Sequence, residues 1–378
     1  MKMHIDSGYT KDNTGNRVLM KGTKKMARDD RARHSSVRDR KQVKKAKRRR
    51  KRIIVICEIV VLLVLIVVAF VMAKLNRIKG EEFDENNLLM GADLTGYTNI
   101  ALFGLDARDT EKLGKGNHSD TIMVASIDND TKEVRLVSVY RDNYLNMTDN
   151  KYNKATQAYF LGGPEQAVSM LNMNLDLDIK DYITVNFQAL VESIDMLGGI
   201  DLEITEEERG HLNNYIVETS KVTGIKSPDV EEAGEVHLNG VQAVSYGRIR
   251  YTAGDDYKRT ERQRLVLSLM FDKAKKTDLI TLNKIIDNCI DKVSTSLTTD
   301  EILTLAGSLL KYSIGDSTGF PFEKTTKIVG KAGDCVIPVN HVENVKKLHE
   351  MLFANETYTP SKTVVGIGNQ IINDTGIQ

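Results

Sequence analysis

The sequence predicts an α/β protein: a single transmembrane helix, an extracellular mixed α/β domain, and additional helices at the C-terminal end. Three observations carry this expectation. Residues 53–73 form an unbroken apolar run, the charge of the chain changes sign at that run, and strand-like and helix-like stretches alternate from about residue 97 to 275. The net charge of +1, from 53 Lys plus Arg against 52 Asp plus Glu, conceals the split. Residues 1–52 hold 20 basic and 5 acidic side chains, a surplus of 15, which leaves 33 against 47 for the rest, a deficit of 14. Three cysteines and 41% hydrophobic residues in 378 exclude a disulfide-dense mini-protein, a collagen-like chain and a wholly disordered one.

The run IIVICEIVVLLVLIVVAFVMA, Ile53 to Ala73, has 21 residues and one charge, Glu58. At helical rise it is about 31 Å long, matching the hydrocarbon core of a bilayer. A cleaved signal peptide is the rival, since Val71 and Ala73 make a small-x-small pair, but the apolar region and the basic arm before it are both too long. Eight of the nine residues Lys44 to Arg52 are basic, whereas Lys74, Arg77 and Lys79 are opposed by Glu81, Glu82, Asp84 and Glu85. The positive-inside rule therefore places 1–52 as a cytoplasmic arm and everything after about 75 outside, with a linker at 74–96. The arm suits anionic lipid. No nucleic acid is expected, because Tyr9 is its only aromatic residue and no nucleic-acid-binding fold is recognisable.

Beyond the linker, Ile100 to Gly104, Thr121 to Ile127 and Val134 to Tyr140 read as strands, the last two joined by Asp128-Asn-Asp-Thr-Lys132 as a turn rather than a metal site. Gly162-Gly163-Pro164 opens a helix with proline at its first position. Tyr182 to Val185 is a strand, and Phe187, Leu190, Val191, Ile194 and Leu197 share one face of a helix stopped by Gly198-Gly199. Ile200 to Ile204 is the next strand, 205–235 reads as polar and irregular, and Asp256 to Lys276 as a helix. Residues 276–378 read as a helical extension, with helices at Thr277 to Val293, Thr299 to Tyr312 and Val342 to Phe353 and a loose tail after Pro360.

The densest unusual stretch is Gly247 to Arg264, with six basic residues against three acids inside an acidic domain. Arg248 and Arg250 would share a face of a strand, while Arg259, Arg262 and Gln263 fall in the opening of a helix, where the macrodipole disfavours unpaired cations. A bound anion such as a phosphate resolves the conflict; surface ion pairs with Asp255, Asp256 and Glu261 are the alternative. Asp106, after the first strand, and Asp120, before the second, suit a hard divalent cation when taken together with the arginines, although each alone reads better as a cap or turn residue.

The succession NIALFGLDAR, SDTIMVASID, VSVYRD, KATQAYFLGGPEQAV, VNFQALVESIDMLGGIDLEI, LNGVQAVSYGRIR and RTERQR resembles, in order and spacing, the LytR-CpsA-Psr (LCP) family of bacterial cell-wall proteins over about residues 97–275. The resemblance implies a phosphotransferase that takes an anionic or capsular glycan from a polyprenyl-pyrophosphate carrier and attaches it to the muramic acid 6-hydroxyl of peptidoglycan. It implies that Asp106 and Asp120 hold Mg²⁺, or Mn²⁺ in its place, and act in catalysis with Arg141. It further implies that Arg141, Lys154, Arg248, Arg250, Arg259, Arg262 and Gln263 bind the pyrophosphate. Between the two aspartates, EKLGKGNH is longer than the family pattern.

For the hydrocarbon tail, the face Phe187, Leu190, Val191 and Ile194 is the candidate lining, with ordinary core packing as its rival. Cys57 falls in the apolar run, and Cys289 and Cys335 allow one disulfide outside, or two free thiols in an anaerobic host. Two other functions fit the same residues: a non-catalytic protein that binds wall glycans or polyprenyl phosphate, and a hydrolase in which water replaces the muramyl hydroxyl.

Overall fold

The computed structural model describes residues 10–11, 17–18, 45, 83, 88–105, 113–250, 255–354 and 357–378. The chain divides into two units after Val71. In the first, Thr10–Lys11 (β1) pairs antiparallel with Arg17–Val18 (β2). The expected span 53–73, Cys57 and Asp106 lie outside the described residues. Among the described residues no helix is long and apolar enough to cross a membrane.

The second unit is built on a six-stranded mixed sheet. Its strands are β3 (Tyr97–Leu105), β4 (Ser119–Asp128), β5 (Glu133–Val139), β8 (Asp181–Asn186), β11 (Val293–Thr295) and β12 (Ser313–Phe320), in the order β11-β8-β3-β4-β5-β12. β3 to β8 and β5 to β12 are parallel; the other pairs are antiparallel. The β4–β5 hairpin turns on Asp128, whose Oδ1 accepts the backbone N–H groups of Asp130 and Thr131 at 2.9 Å, so this aspartate is a turn residue as its sequence context implies.

Side-chain alternation gives the sheet two apolar faces. Ala101, Phe103, Val124 and Val137 point to one, which is covered by α1 (Thr156–Leu175), α8 (His341–Phe353) and α9 (Lys362–Thr375). Ile100, Leu102, Ala125 and Leu136 point to the other, against Leu267 and Phe271 of α5 (Asp255–Lys276). A neighbouring core joins α2 (Phe187–Met196), α3 (Glu206–Thr223), α4 (Gly240–Tyr246) and the hairpin of β9 (Ile200–Ile204) with β10 (Gly234–Leu238). Here α2 and α4 touch so closely that a Cβ on Gly240 would stand 2.1 Å from the Val191 carbonyl oxygen. The remaining elements are the hairpins β6 (Tyr144–Asn146) with β7 (Tyr152–Lys154) and β13 (Lys324–Val329) with β14 (Gly333–Pro338), and the helices α6 (Leu279–Cys289) and α7 (Thr299–Gly307).

Several expectations need correction. Residues 276–378 are not a helical extension: β11 and β12 supply both edges of the central sheet, and α8 and α9 complete its main core. Short strands that pair only over long sequence distances leave little local signal. Residues 205–235 contain α3, which carries a capping box between Thr205 and Glu208 and ends at Gly224 with φ 73°. The tail after Pro360 is α9, started by Ser361. Helix α1 begins at Thr156 and bends at Gly163 (φ 71°, ψ −158°), so Pro164 opens its second segment rather than the whole helix. Arg248 and Arg250 lie in the irregular segment after α4, outside any strand. The cysteines form no disulfide with each other: Cys289 packs by Ser193 of α2, with Sγ to Oγ 3.0 Å, while Cys335 of β14 sits with Tyr144, Ile337 and Ile371. Burial raises both thiol pKa values, that of Cys335 to about 11, which keeps them protonated and inert.

Arg262 is held in the fold rather than offered to a ligand. Its Nε donates to Glu208 Oε1 at 2.9 Å, its Nη1 donates to the Ile249 carbonyl at 3.2 Å, and both side chains of the pair are largely covered. The pair fastens α5 to α3. Arg262→Ala leaves Glu208 without its counter-ion, and we expect a loss of roughly 3 kcal/mol of stability in denaturant titrations. A variant as stable as the parent would contradict this role.

His341 and His349 each donate through Nε2 to a carbonyl at the end of α1, Asn174 O and Leu175 O, both at 2.9 Å, and each has a buried Nδ1 with no partner. A second proton has nowhere favourable to go. Burial pushes the His341 pKa down to about 4 and lowers that of His349. The unfolded chain therefore binds more protons below the ordinary histidine range, so stability is complete above about pH 6.5 and falls with pH towards 4, by roughly 3 kcal/mol for His341. Melting temperature against pH should show this slope, and His341→Gln should flatten it; an equally steep profile in the variant would remove His341 as its source.

Candidate active site

Strand ends and one helix start converge on a cluster of charges. Asp120 opens β4, Arg141 and Asp142 follow β5, Lys154 ends β7, Arg250 follows α4, and Asp256 and Arg259 lie in the first turns of α5. The Arg141 guanidinium is the hub: Nη1 donates to Asp120 Oδ1 at 2.5 Å, and Nε faces Asp142 at 3.4 Å and Asp256 at 3.9 Å. Lys154 Nζ pairs with Asp142 at 3.0 Å, and Arg250 Nε approaches Asp256 at 3.9 Å.

Arg259 is the most confined of these cations, with only 2% of its surface exposed. Its Nη2 donates to Asp256 and to the Asp120 backbone carbonyl, each at 3.1 Å, while its Nε is buried without a partner. Burial pulls its pKa down to about 10 despite Asp256, with Arg250 and Arg141 adding repulsion. For Arg141 burial acts in the same direction, but Asp120 outweighs it and the pKa is raised. The two neighbours thus differ: Arg141 has its counter-ion, and Arg259 is a desolvated cation whose Nε still lacks an acceptor. An anion placed here would gain charge-assisted hydrogen bonds in a weakly screened environment.

Next to the charges lies an apolar cavity of about 340 Å³ between the sheet face and helices α2, α4 and α5. Its walls include Leu102, Met123, Ile183, Phe187, Leu190 and Met270, with Cys289 from α6. Thr121, adjacent to Asp120, and Gln263, one helical turn after Arg259, also line it, so the greasy chamber borders the segments that carry the charged cluster. Gln263 Oε1 is buried and unpartnered. Arg248 lines the cavity too; it stacks 4.9 Å from the Phe187 ring and is held by Thr219 Oγ1 at 2.9 Å and Glu218 at 3.2 Å.

Asp120, Arg141, Lys154, Arg250 and Arg259 are therefore brought together, and Gln263 and Arg248 edge the adjoining cavity. Arg262 does not join them, being committed to Glu208. Of the expected tail lining, Phe187 and Leu190 border the cavity, whereas Val191 and Ile194 are fully buried in the α2–α3–α4 core. A helix face exposes neighbouring residues to different surroundings, so a shared stripe does not ensure a shared role. Asp142 was not expected among them, whereas Asp256 is an ion-pair partner that the alternative reading named. The i, i+3 spacing of Asp256 with Arg259 was a readable signal; the convergence of Asp142 on Lys154 needed the fold.

Residues 69–331 match the LytR_cpsA_psr family. The chain is 28% identical over 212 residues to the polyisoprenyl-teichoic acid–peptidoglycan teichoic acid transferase TagU of Enterococcus faecalis, covering 55% of this chain and 64% of that protein. It is 26% identical over 273 residues to the corresponding transferase TagV of Bacillus subtilis, covering 69% and 65%. It thus spans slightly under two thirds of the length of these relatives. Among solved structures, TagT bound to LIIa-WTA superimposes with a TM-score of 0.53 at 20% identity over 79% of this chain and 94% of that one. B. subtilis TagV gives 0.52 at 22% identity over 70% and 98%. The fold is shared with both, and with more than half of its length matched the chain belongs to the LytR_cpsA_psr family.

Proposed function

We propose that the protein is a membrane-anchored phosphotransferase that moves an anionic or capsular glycan from a polyprenyl-pyrophosphate carrier to the muramic acid 6-hydroxyl of peptidoglycan on the outer face of the membrane. The observation that carries this reading is the apolar cavity walled by Gln263 and Arg248, with the buried, incompletely partnered Arg259 one helical turn before Gln263, because a lipid diphosphate is a hydrocarbon chain joined to a compact polyanion. Names of the relatives, teichoic acid transferases, point the same way. The run 53–73 serves as the anchor, with residues 1–52 cytoplasmic.

In this reading Phe187, Leu190 and the cavity walls receive the proximal part of the lipid. Arg141, Arg250, Arg259 and Lys154 hold the diphosphate, with Gln263 and Arg248 at the boundary between lipid and charge. The muramyl oxygen forms a bond to the sugar-side phosphorus while the bond from that phosphorus to the bridging oxygen breaks. Polyprenyl monophosphate leaves with the electron pair, its charge met by the arginines, and the hydroxyl proton passes to a carboxylate, Asp120 or Asp106. Positioning and charge neutralisation are the main requirements of such a step.

Mg²⁺, or Mn²⁺, fits the donor set. Asp120, Asp142 and Asp256 present hard oxygens around one guanidinium, and Mg²⁺ commonly takes only one or two protein carboxylates. Among the described residues no group of three or more acidic, histidine or cysteine side chains could hold a metal alone; on the family resemblance, Asp120 with Asp106 and the diphosphate would hold the ion. When bound, the ion would neutralise part of the diphosphate charge.

The test is release of polyprenyl monophosphate from a polyprenyl-pyrophosphate glycan incubated with the purified protein, Mg²⁺ and a peptidoglycan acceptor. Arg141→Ala and Arg259→Ala should each lose roughly ten-fold or more in rate. Unchanged rates in both would overturn the assignment, and release that proceeds equally without acceptor would turn it into a hydrolase. Chelation with EDTA should abolish turnover and added Mg²⁺ restore it; full activity in EDTA would remove the metal from the scheme.

A further inference from the structure

Helix α5 has cavities on both sides of the sheet face it crosses. Gln263, Val266, Leu267 and Met270 wall the apolar chamber over β3, β4 and β8, while Glu261, Arg264, Leu265 and Ser268 wall a second cavity of about 600 Å³ over β5 and β12. The second cavity is polar, and its chemistry is that of a receptor for an acidic group. Arg264 is 6% exposed, yet its Nε is buried with no hydrogen-bond partner and it makes no ion pair among the described residues. Its Nη1 reaches only Thr260 Oγ1, on its own helix, at 3.4 Å. The one acid in the lining, Glu261, is engaged by Lys258 at 2.6 Å. Lys324, at the start of β13, brings a second cation; its Nζ lies 4.5 Å from the Tyr257 ring centroid and 5.1 Å from that of Tyr140, donates to the Phe322 carbonyl at 3.4 Å, and makes no ion pair among the described residues.

The cavity is also shaped. A Cβ on Gly319 would stand 2.1 Å from Tyr140 Oη, so the glycine lets the ring and hydroxyl close down on β12. Tyr140 and Tyr257 meet edge to face at 4.7 Å and form an aromatic wall beneath Lys324. Burial lowers the pKa of both Arg264 and Lys324, with the charge of Glu261 acting against it. The location ties this cavity to the first site: Tyr140 precedes Arg141 in the chain, and Tyr257 lies between Asp256 and Lys258, two residues before Arg259.

We infer that the cavity lined by Arg264, Lys324 and Tyr140 is a second anion subsite, which seats an acidic group, carboxylate or phosphate, on one of the two glycan substrates. The inference rests on the transferase reading for its ligand. A glycan held here would lie beside the strand end that carries Arg141 and the helix turns that carry Arg259. Two sources supply the chemistry: the stem-peptide carboxylates of the peptidoglycan acceptor, and the phosphates or carboxylates of the transferred polymer.

The experiment uses the full chain in detergent and two conservative variants, Lys324→Gln and Arg264→Met, the former on a half-exposed side chain as a safeguard against misfolding. Calorimetric titration with a muramyl peptide bearing free stem-peptide carboxylates should give a Kd at least five-fold weaker in both variants, and no difference between variants and parent when those carboxylates are amidated. If the acceptor titrations match the parent, the same comparison is made with the soluble anionic polymer and a neutral glycan of equal length; a variant effect confined to the anionic one assigns the subsite to the donor. No variant effect on any acidic fragment overturns the inference. Turnover is scored separately: parent protein that binds these fragments but releases no polyprenyl phosphate would sink the transferase reading and leave the subsite standing.

Discussion

Keeping a guanidinium charged where water cannot reach it is the constraint around which this site is organised. Arg259 is almost wholly enclosed, and the fold meets part of the cost with Asp256 and the Asp120 carbonyl while leaving Nε without an acceptor. A buried cation without full compensation reduces stability, and its retention is easiest to understand if a ligand completes the set. The carboxylates Asp120, Asp142 and Asp256 hold the basic residues in place in the meantime, so the cluster is close to neutral and its arginines are already oriented. For the proposed diphosphate, donors fixed in this way rather than carried on flexible surface side chains would lower the entropy lost on binding.

Helix α5 makes this arrangement possible because it lies across the sheet instead of beside it. Leu267 and Phe271 bind it to the apolar face formed by Ile100, Ala125 and Leu136, and the Arg262–Glu208 pair ties it to α3. With the middle of the helix fixed by packing, its N-terminal turns project towards the strand ends that carry Asp120 and Arg141. Its two flanks become the walls of two chambers with opposite character, one apolar and one polar. Sheet edges supplied by residues 293–320 are part of the same design: β12 forms the floor of the polar chamber, and β11 pairs with β8, whose Ile183 and Val185 line the apolar one.

Much of this was legible in the sequence wherever the signal is local. β-Branched runs with Asp/Asn turns located β4 and β5, the Gly-Gly stop ended α2, and an excess of arginine in an acidic domain marked the cluster. Signals that depend on partners far along the chain were not readable. β11 is three residues long and is a strand only because Val293, Ser294 and Thr295 find Val185, Thr184 and Ile183. Helix α3, with three glutamates in its first turn and low overall hydrophobicity, looked like a polar loop, yet its capping box was present in the sequence and deserved more weight than its composition.

Arg259 and Arg262 show where such reading stops. They sit three residues apart on one helix, are equally basic, and belong to the same short motif, so composition, spacing and resemblance treat them alike. Three residues along an α-helix leave two side chains about 60° apart around its axis and about 4.5 Å apart along it, and here the first reaches the strand ends while the second reaches α3. Which direction faces the ligand is decided by the side of α5 that packs on the sheet, and that depends on Leu267, Phe271 and partners more than a hundred residues away. The arginine cluster was therefore predictable as a region, whereas the division of its arginines into those that gather at the strand ends and one that holds the helices together is a property of the assembled core.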